Sequence, residues 1–292
     1  MQSSLVNMNK NTFCAYPFDT IFLGPDAGIK TCCSSRGDIG NLDKDNIETI
    51  LQGKVAQDIR DSIINGKWHP QCSQCKELEE FGGRSERSVS VEKNYDIYNS
   101  LNLDKTYFNL KKIDLRWSNT CNLACNYCYE YFSSKWANIK GIKVNTLNEL
   151  NEESLLLYID KNKAGIETVD LLGGEPLLQK QNLQLAEMLP DKKYYMLTNL
   201  ATPVQSNRIA EKLLDIEDMS WGISFENIGD RFEYVRHGAK WNQFLNNIEY
   251  IKTRRPNLIT NAHPLYCTYS AFNLVEYYDY VLSENIFQGI YW

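Results

Sequence analysis

The chain has 292 residues, 43% hydrophobic and 23% charged, enough to bury one large core and a smaller one. A net charge of -6 and a pI near 5.3, with no block of five or six lysines or arginines, argue against nucleic acid or an anionic membrane as the main partner. A small molecule or a peptide is expected instead. The chain does not open on a basic start followed by a long apolar run, and no apolar stretch reaches membrane-spanning length, so a cytoplasmic protein is expected. In a reducing compartment its nine cysteines suit metal ligation better than disulfides.

Residues 11 to about 88 show few regular alternations and hold five cysteines: Cys14, the adjacent Cys32 and Cys33, and the pair Cys72 and Cys75. A polar amphipathic stretch runs over residues 46–65, and residues 89–110, rich in Asn, Asp and Tyr, read as a connector. From about Lys111 strand-like and helix-like segments alternate, the pattern of a parallel sheet built from strand-helix repeats. Strands are predicted over residues 113–117, 168–172, 194–197, 219–225 and 258–262. The predicted helices are 153–162, 181–189, 205–214, 241–253 and 273–283, each with an apolar face such as Phe244, Ile248 and Ile251 in the fourth. Gly289-Ile290-Tyr291-Trp292 reads as the opening of a sixth strand. An unfinished sheet edge is a liability, so the chain is read as a fragment of a longer protein or as a natural short form.

Between the first strand and the first helix, Cys121-Asn122-Leu123-Ala124-Cys125-Asn126-Tyr127-Cys128 spaces three cysteines as C-x3-C-x2-C. Disulfide pairing would leave one thiol over. Three such thiolates can instead hold three corners of an iron-sulfur cubane and leave its fourth iron open to a ligand. A zinc knuckle, or a cluster confined to electron transfer, is the alternative. About 45 residues downstream, at the end of an apolar strand, stands Gly173-Gly174-Glu175-Pro176.

With these two motifs most of the chain resembles the radical S-adenosylmethionine (radical SAM) enzymes. The resemblance implies an α/β fold, a partial (β/α)6 TIM-like barrel over residues 111–292 that is cut off as its sixth strand begins. It implies that Cys121, Cys125 and Cys128 hold a [4Fe-4S] cluster whose open iron chelates S-adenosyl-L-methionine. Gly173 and Gly174 would let the backbone approach that ligand, and Glu175 would accept hydrogen bonds from its ammonium. Thr198-Asn199 resembles a pair found in the peptide-modifying branch, with Leu200 where glycine is usual. Ser224 stands where the family contacts the ribose or carboxylate, Tyr127 where an aromatic ring lies against the adenine, and Arg236 where it could pair with the carboxylate. Strand ends, a helix cap, a core tyrosine and a surface salt bridge are the plainer readings of these residues. The implied chemistry is one-electron cleavage of the sulfonium, giving methionine and a 5'-deoxyadenosyl radical that takes hydrogen from a substrate. The electron would come from an external donor such as flavodoxin or ferredoxin. The catalytic acid or base is left unassigned.

The N-terminal spacing is Cys14, thirteen residues, Gly28, four residues, Cys33, and later Cys72-x2-Cys75, with Gly40-Asn41-Leu42 between. It resembles the auxiliary-cluster module called SPASM, or its shorter twitch version, which in most relatives follows the barrel. No cysteine lies between Cys75 and Cys121, so one auxiliary [4Fe-4S] cluster is expected. Its implied ligands are Cys14, Cys33, Cys72 and Cys75, with Cys32 as the rival to Cys33; a four-thiolate zinc site is the alternative. The expected organisation is a cluster module at 11–88, a connector at 89–110 and the barrel at 111–292. The expected function is an oxidoreductase that modifies a peptide or protein. A small-molecule radical SAM enzyme and a non-catalytic, metal-stabilised binding protein are the alternatives.

Overall fold

The computed structural model describes residues 8–284 and 289–290. The sequence readings of the first seven residues and of Tyr291 and Trp292 lie outside the described residues. In chain order the elements are α1 (Tyr16–Asp19), β1 (Thr20–Leu23), β2 (Gly28–Lys30), β3 (Gly40–Asn41), α2 (Ile47–Leu51), α3 (Lys54–Ile64), α4 (Ser73–Glu80), α5 (Glu86–Asn99) and β4 (Lys112–Leu115). There follow β5 (Ala124–Cys125), α6 (Ser134–Lys140), α7 (Glu149–Asn162), β6 (Thr168–Leu171), α8 (Gln181–Met188), β7 (Lys193–Thr198) and α9 (Arg208–Leu214). The last are β8 (Met219–Ile223), α10 (Gly229–Val235), β9 (Arg236–His237), α11 (Trp241–Arg254), β10 (Ile259–Ala262), α12 (Leu274–Glu284) and β11 (Gly289–Ile290). Two compact units result, one of residues 1–114 with 147–167 and the other of residues 115–146 with 168–292.

In the second unit β6, β7, β8, β10 and β11 lie side by side and parallel. The pairing of Asn261 with Gly289 and of Ala262 with Ile290 makes the short β11 the sixth-strand opening expected from the sequence. Strand alternation buries Val169, Leu171, Tyr194, Met196, Trp221 and Ile223 completely or nearly so. Phe244, Ile248 and Ile251, one turn apart on α11, are buried too, and Phe244 packs on Phe225 and Phe232 with ring centroids 5.2 and 4.9 Å away. Each large apolar side chain buried in this way contributes about 1.5–3 kcal/mol. Two helices that the sequence pattern did not announce, α6 and α10, are seven residues each, too short for a 3.6-residue period to declare itself.

The first unit carries more regular structure than its patterning suggests. The antiparallel ribbon β1–β2–β3 is made of strands only two to four residues long, and α3 buries Ala56, Ile59 and Ile63 at helical spacing. Much of the stretch read as a connector is α5, a 14-residue helix capped by Ser85, which accepts a bond from the Ser88 amide while the Ser88 hydroxyl takes up the Ser85 amide. Arg60, 1% exposed, donates to the carbonyls of Leu51, Pro17 and Lys105 at 2.6, 3.2 and 2.7 Å. That buried guanidinium ties three loops together, and burial lowers its pKa to about 10. Helix α7, expected as the first barrel helix, groups with this unit.

Candidate functional site

The C-terminal ends of the parallel strands in the second unit border a cleft of about 330 Å³, within the size range of small-molecule sites. The cysteine loop enters it on a scaffold of local bonds. Ser133, fully buried, caps α6 by accepting from the Trp136 amide at 3.2 Å and donates to the Leu123 carbonyl at 2.6 Å. Ser134 accepts from the Cys121 amide at 3.1 Å and donates to the Cys121 carbonyl at 3.2 Å, and the Trp136 indole donates to the Cys125 carbonyl at 2.8 Å. On the other side β5 pairs antiparallel with β9, so that Cys125 stands opposite Arg236. Cys121, Cys125 and Cys128 all line the cleft. Burial pushes the Cys121 thiol up to about 12 and raises Cys125 and Cys128 as well, so a metal centre here must displace protons as it binds.

Facing the loop is the turn after β6. Gly173 has φ +116°, a conformation open to glycine, and a β-carbon on Gly174 would collide with the Thr120 carbonyl. Both glycines line the cleft. Glu175 does not. Its side chain is completely buried and its carboxylate accepts from the Thr198 hydroxyl at 2.6 Å, the Asn199 amide at 2.9 Å and the Leu177 amide at 3.1 Å. Burial raises its pKa against these three donors. Glu175 is thereby a brace for the turn after β7, and its carboxylate, expected to face a ligand, is turned away from the cleft that Gly173 and Gly174 line.

Asn199 reaches the cleft from that turn, donating to Asn122 Oδ1 at 3.0 Å and lying 3.7 Å from the Cys121 sulfur. Leu200 follows with φ +53°, the left-handed region that favours glycine. Ser224 lines the cleft with its amide bonded to the Thr198 carbonyl at 2.9 Å. Tyr127 and Arg236 line it too, the guanidinium 5.7 Å from the ring centroid. Both side chains converge on Glu226, a fully buried residue that the motif reading passed over: its Oε2 accepts from Arg236 Nη2 at 2.7 Å and from the Tyr127 hydroxyl at 3.2 Å. The pair keeps two polar atoms, Glu226 Oε1 and Arg236 Nε, without a hydrogen-bond partner among the described residues. Buried orphans of this kind are costly and suit a polar ligand that completes them.

His263 was also passed over. It lines the cleft, its Nε2 lies 2.8 Å from the Tyr195 hydroxyl, and burial lowers its pKa. A side chain on Gly222 would overlap that pair, which explains the glycine in β8. The only available signal was a histidine just beyond a predicted parallel strand.

In the first unit Cys14, Cys32, Cys72 and Cys75 border one narrow cleft of about 20 Å³, together with Trp68, His69 and Arg87. Burial raises Cys14 and Cys32 strongly and Cys72 to about 11, so these thiols too would release protons on binding a metal. Cys33 does not border that cleft; it is exposed, with its sulfur 3.9 Å from the Ser34 hydroxyl. Among the described residues no three His, Cys, Asp or Glu side chains converge closely enough to grip a single ion. None of the nine cysteines is in a disulfide, and no described helix is long and apolar enough to cross a membrane.

Residues 115–281 match the family described as the Radical SAM superfamily, and residues 14–76 match SPASM, an iron-sulfur cluster-binding domain. Among curated proteins the chain is similar to 7-carboxy-7-deazaguanine synthase of Clostridium acetobutylicum, 42% identical over 69 residues, 24% of this chain and 27% of the relative. It is also similar to a probable GTP 3',8-cyclase of Methanocaldococcus jannaschii, 25% identical over 113 residues, 38% of this chain and 35% of the relative. The alignments thus span about a quarter to a third of these curated proteins. Among solved structures, Streptococcus suis SuiB bound to S-adenosylmethionine aligns at 15% identity and TM-score 0.47, covering 81% of this chain and 56% of that one. SuiB bound to its precursor peptide SuiA aligns at 14% identity and TM-score 0.46, covering 84% and 55%.

Proposed function

Because the chain belongs to the radical SAM superfamily, we propose that it is an enzyme that cleaves S-adenosyl-L-methionine reductively in the second-unit cleft and uses the product to take hydrogen from a substrate. The observation that carries this reading is the convergence of Cys121, Cys125 and Cys128 with Gly173, Gly174, Asn199, Ser224 and Arg236 on one cleft. When bound, a [4Fe-4S] cluster on the three thiolates, with S-adenosylmethionine on it, supplies one-electron cleavage of a carbon-sulfur bond. The protein's part is orientation. The glycine backbone lets a ligand approach closely, Arg236 offers a cation to a carboxylate, Tyr127 offers a ring face, and Glu226 holds both of these at a fixed angle. Glu175 acts from beneath the site by bracing the turn that presents Asn199.

In this reading residues 11–88 form the auxiliary-cluster module and residues 111–292 the barrel, with 147–167 packed into the first unit. The electron donor is a flavodoxin or ferredoxin, and the compartment is the cytoplasm, in keeping with nine cysteines outside any disulfide. After anaerobic reconstitution and reduction with dithionite, the protein should release 5'-deoxyadenosine from S-adenosylmethionine. The triple variant with alanine at Cys121, Cys125 and Cys128 should release none; release at the parental rate would overturn the proposal.

The substrate proposed is a peptide or protein, because modules of the SPASM kind imply that class and because Leu265, 43% exposed, and the neighbouring Tyr266, 65% exposed, offer apolar surface beside the cleft. A small-molecule substrate is the second reading, favoured by the names of the two curated relatives. Faster 5'-deoxyadenosine release with added peptides supports the first, and faster release with GTP as probe supports the second.

A further inference from the structure

We infer that His263 is a substrate-binding residue on the wall of the cleft that follows β10, and that Tyr195 is the positioning residue that holds its imidazole. This role rests on the reading of the cleft proposed above and names a residue that meets its substrate.

Along β7, Tyr194, Met196 and Thr198 are buried on one face, so Tyr195 shares the other face with Leu197, which lines the cleft. In β8, Gly222 shares its face with Ser224, another lining residue. Strand β10 lies on the far side of β8, with Ala262 paired to Ile223, and the His263 amide donates to the Ile223 carbonyl at 2.8 Å. The Tyr195 side chain therefore crosses β8 to reach the imidazole. Its hydroxyl oxygen is 2.8 Å from His263 Nε2, and the ring centroids are 6.1 Å apart. A β-carbon on Gly222 would overlap that hydroxyl and stand 2.9 and 3.0 Å from atoms of the imidazole. The glycine keeps the crossing open.

A core packed for stability alone is not built this way. The inside of a parallel barrel is ordinarily filled by branched apolar side chains, and a glycine within a strand weakens it. Here three strands depart from that rule together to bring one polar pair to the cleft, and such departures collect at functional sites.

His263 is also set apart from the groups proposed to hold S-adenosylmethionine. Those gather at the cysteine loop, with Asn199 3.7 Å from the Cys121 sulfur and Arg236 opposite Cys125. His263 follows β10, the third strand on from β6, and runs into Pro264 and Leu265 on the cleft wall and the exposed Tyr266 beyond. The imidazole is thus continuous with the apolar surface beside the cleft. Burial lowers its pKa, so the ring is neutral at pH 7. A neutral imidazole recognises its partner by hydrogen bonding rather than by charge, and the substrate group assigned to it is a hydroxyl or an amide.

The test uses the full chain reconstituted with iron and sulfide. Diethyl pyrocarbonate with peptide mapping should modify His263 in the S-adenosylmethionine-loaded protein at no less than half its rate in the unloaded one, with the exposed His237 as internal reference. Stronger protection would place His263 beneath the cofactor and overturn the inference. A second arm takes whichever of GTP and a casein digest accelerates 5'-deoxyadenosine release. For that probe His263→Ala should raise KM at least tenfold with kcat changed less than threefold, and His263→Gln should recover part of the loss. Tyr195→Phe, which keeps the ring and removes the hydroxyl, should raise KM about threefold. An unmoved KM in His263→Ala refutes the substrate role, and an unmoved KM in Tyr195→Phe refutes the positioning role. Should neither probe accelerate release, or the variants fail to fold, the modification result on the unaltered chain decides alone. A parent that releases no 5'-deoxyadenosine refutes the reading of the cleft; release with His263 shielded refutes this inference only.

Discussion

The cysteine loop of the second unit and the cysteine module of the first are assembled in opposite ways. Cys121, Cys125 and Cys128 fall within eight residues, and their loop is shaped by bonds to the nearby α6 and by pairing with β9, with Asn199 and Glu226 meeting it from further along the chain. Cys14, Cys32, Cys72 and Cys75 are spread over more than sixty residues and border one cleft only because the chain after β2 and four helices, α1, α3, α4 and α5, fold around it. A cysteine group closed by one short loop is legible as spacing alone. A group closed by tertiary structure is not, since only the fold shows that Cys32 borders the common cleft and the adjacent Cys33 does not.

That contrast can be broken at Gly174, where the largest effect is expected. Gly174→Ala puts a β-carbon into the Thr120 carbonyl and the Asn119 backbone, atoms that cannot swing aside. It should destabilise the second unit by about 3 kcal/mol. Urea unfolding followed by tryptophan fluorescence would measure this, and calorimetry should show weakened S-adenosylmethionine binding. An unchanged midpoint would mean that the glycine turn is not what shapes this side of the cleft.

In the first unit the sharper probe is pH. Asp19, a buried residue, has its pKa raised to about 6, chiefly by burial and against hydrogen bonds from Tyr98 at 2.7 Å and Thr20 at 2.8 Å. An acid whose folded pKa lies above its unfolded value stabilises the fold below the unfolded value and loses that contribution as pH rises through the folded one. Relative to Asp19→Asn, the parent should therefore lose about 2 kcal/mol between pH 4 and pH 7. Parallel stability curves for the two proteins would contradict this.

Ser133→Ala tests how far the cysteine loop depends on its local scaffold. Removing the α6 cap and the bond to the Leu123 carbonyl should cost about 1–2 kcal/mol. Iron retention by the barrel site should fall in step, while iron held by the first unit stays constant. The smallest effect is expected at Ala27. Relief of its left-handed backbone, φ +66°, in Ala27→Gly is offset by the lost methyl burial and the freer unfolded chain, so stability should change by less than about 0.5 kcal/mol. A gain above 1 kcal/mol would show more strain at that turn than its φ implies.

Most of the second unit could be read without coordinates, because its signals are local. The predicted strands 168–172, 194–197 and 219–225 coincide with β6, β7 and β8 within two residues, and the fourth predicted helix with α11. Alternation and helical spacing follow directly from which side chains face the core. The glycine pair and the three-cysteine spacing were legible for the same reason: their chemistry is carried within a few consecutive residues. Tertiary structure decided the rest. Glu175 turned inward because three donors from β7 and its own turn meet it there, a convergence across 24 residues of chain that no motif encodes. Glu226, buried behind the cleft, meets it only through Arg236 and Tyr127 on other elements, and His263 lines it against Tyr195. The ribbon in the first unit, with strands too short for alternation to register, set which of two adjacent cysteines borders the common cleft. The sequence by itself determined which residue types could do the chemistry and the local turns that present them; packing alone decided which of them face a common space, because facing is a relation between segments distant along the chain.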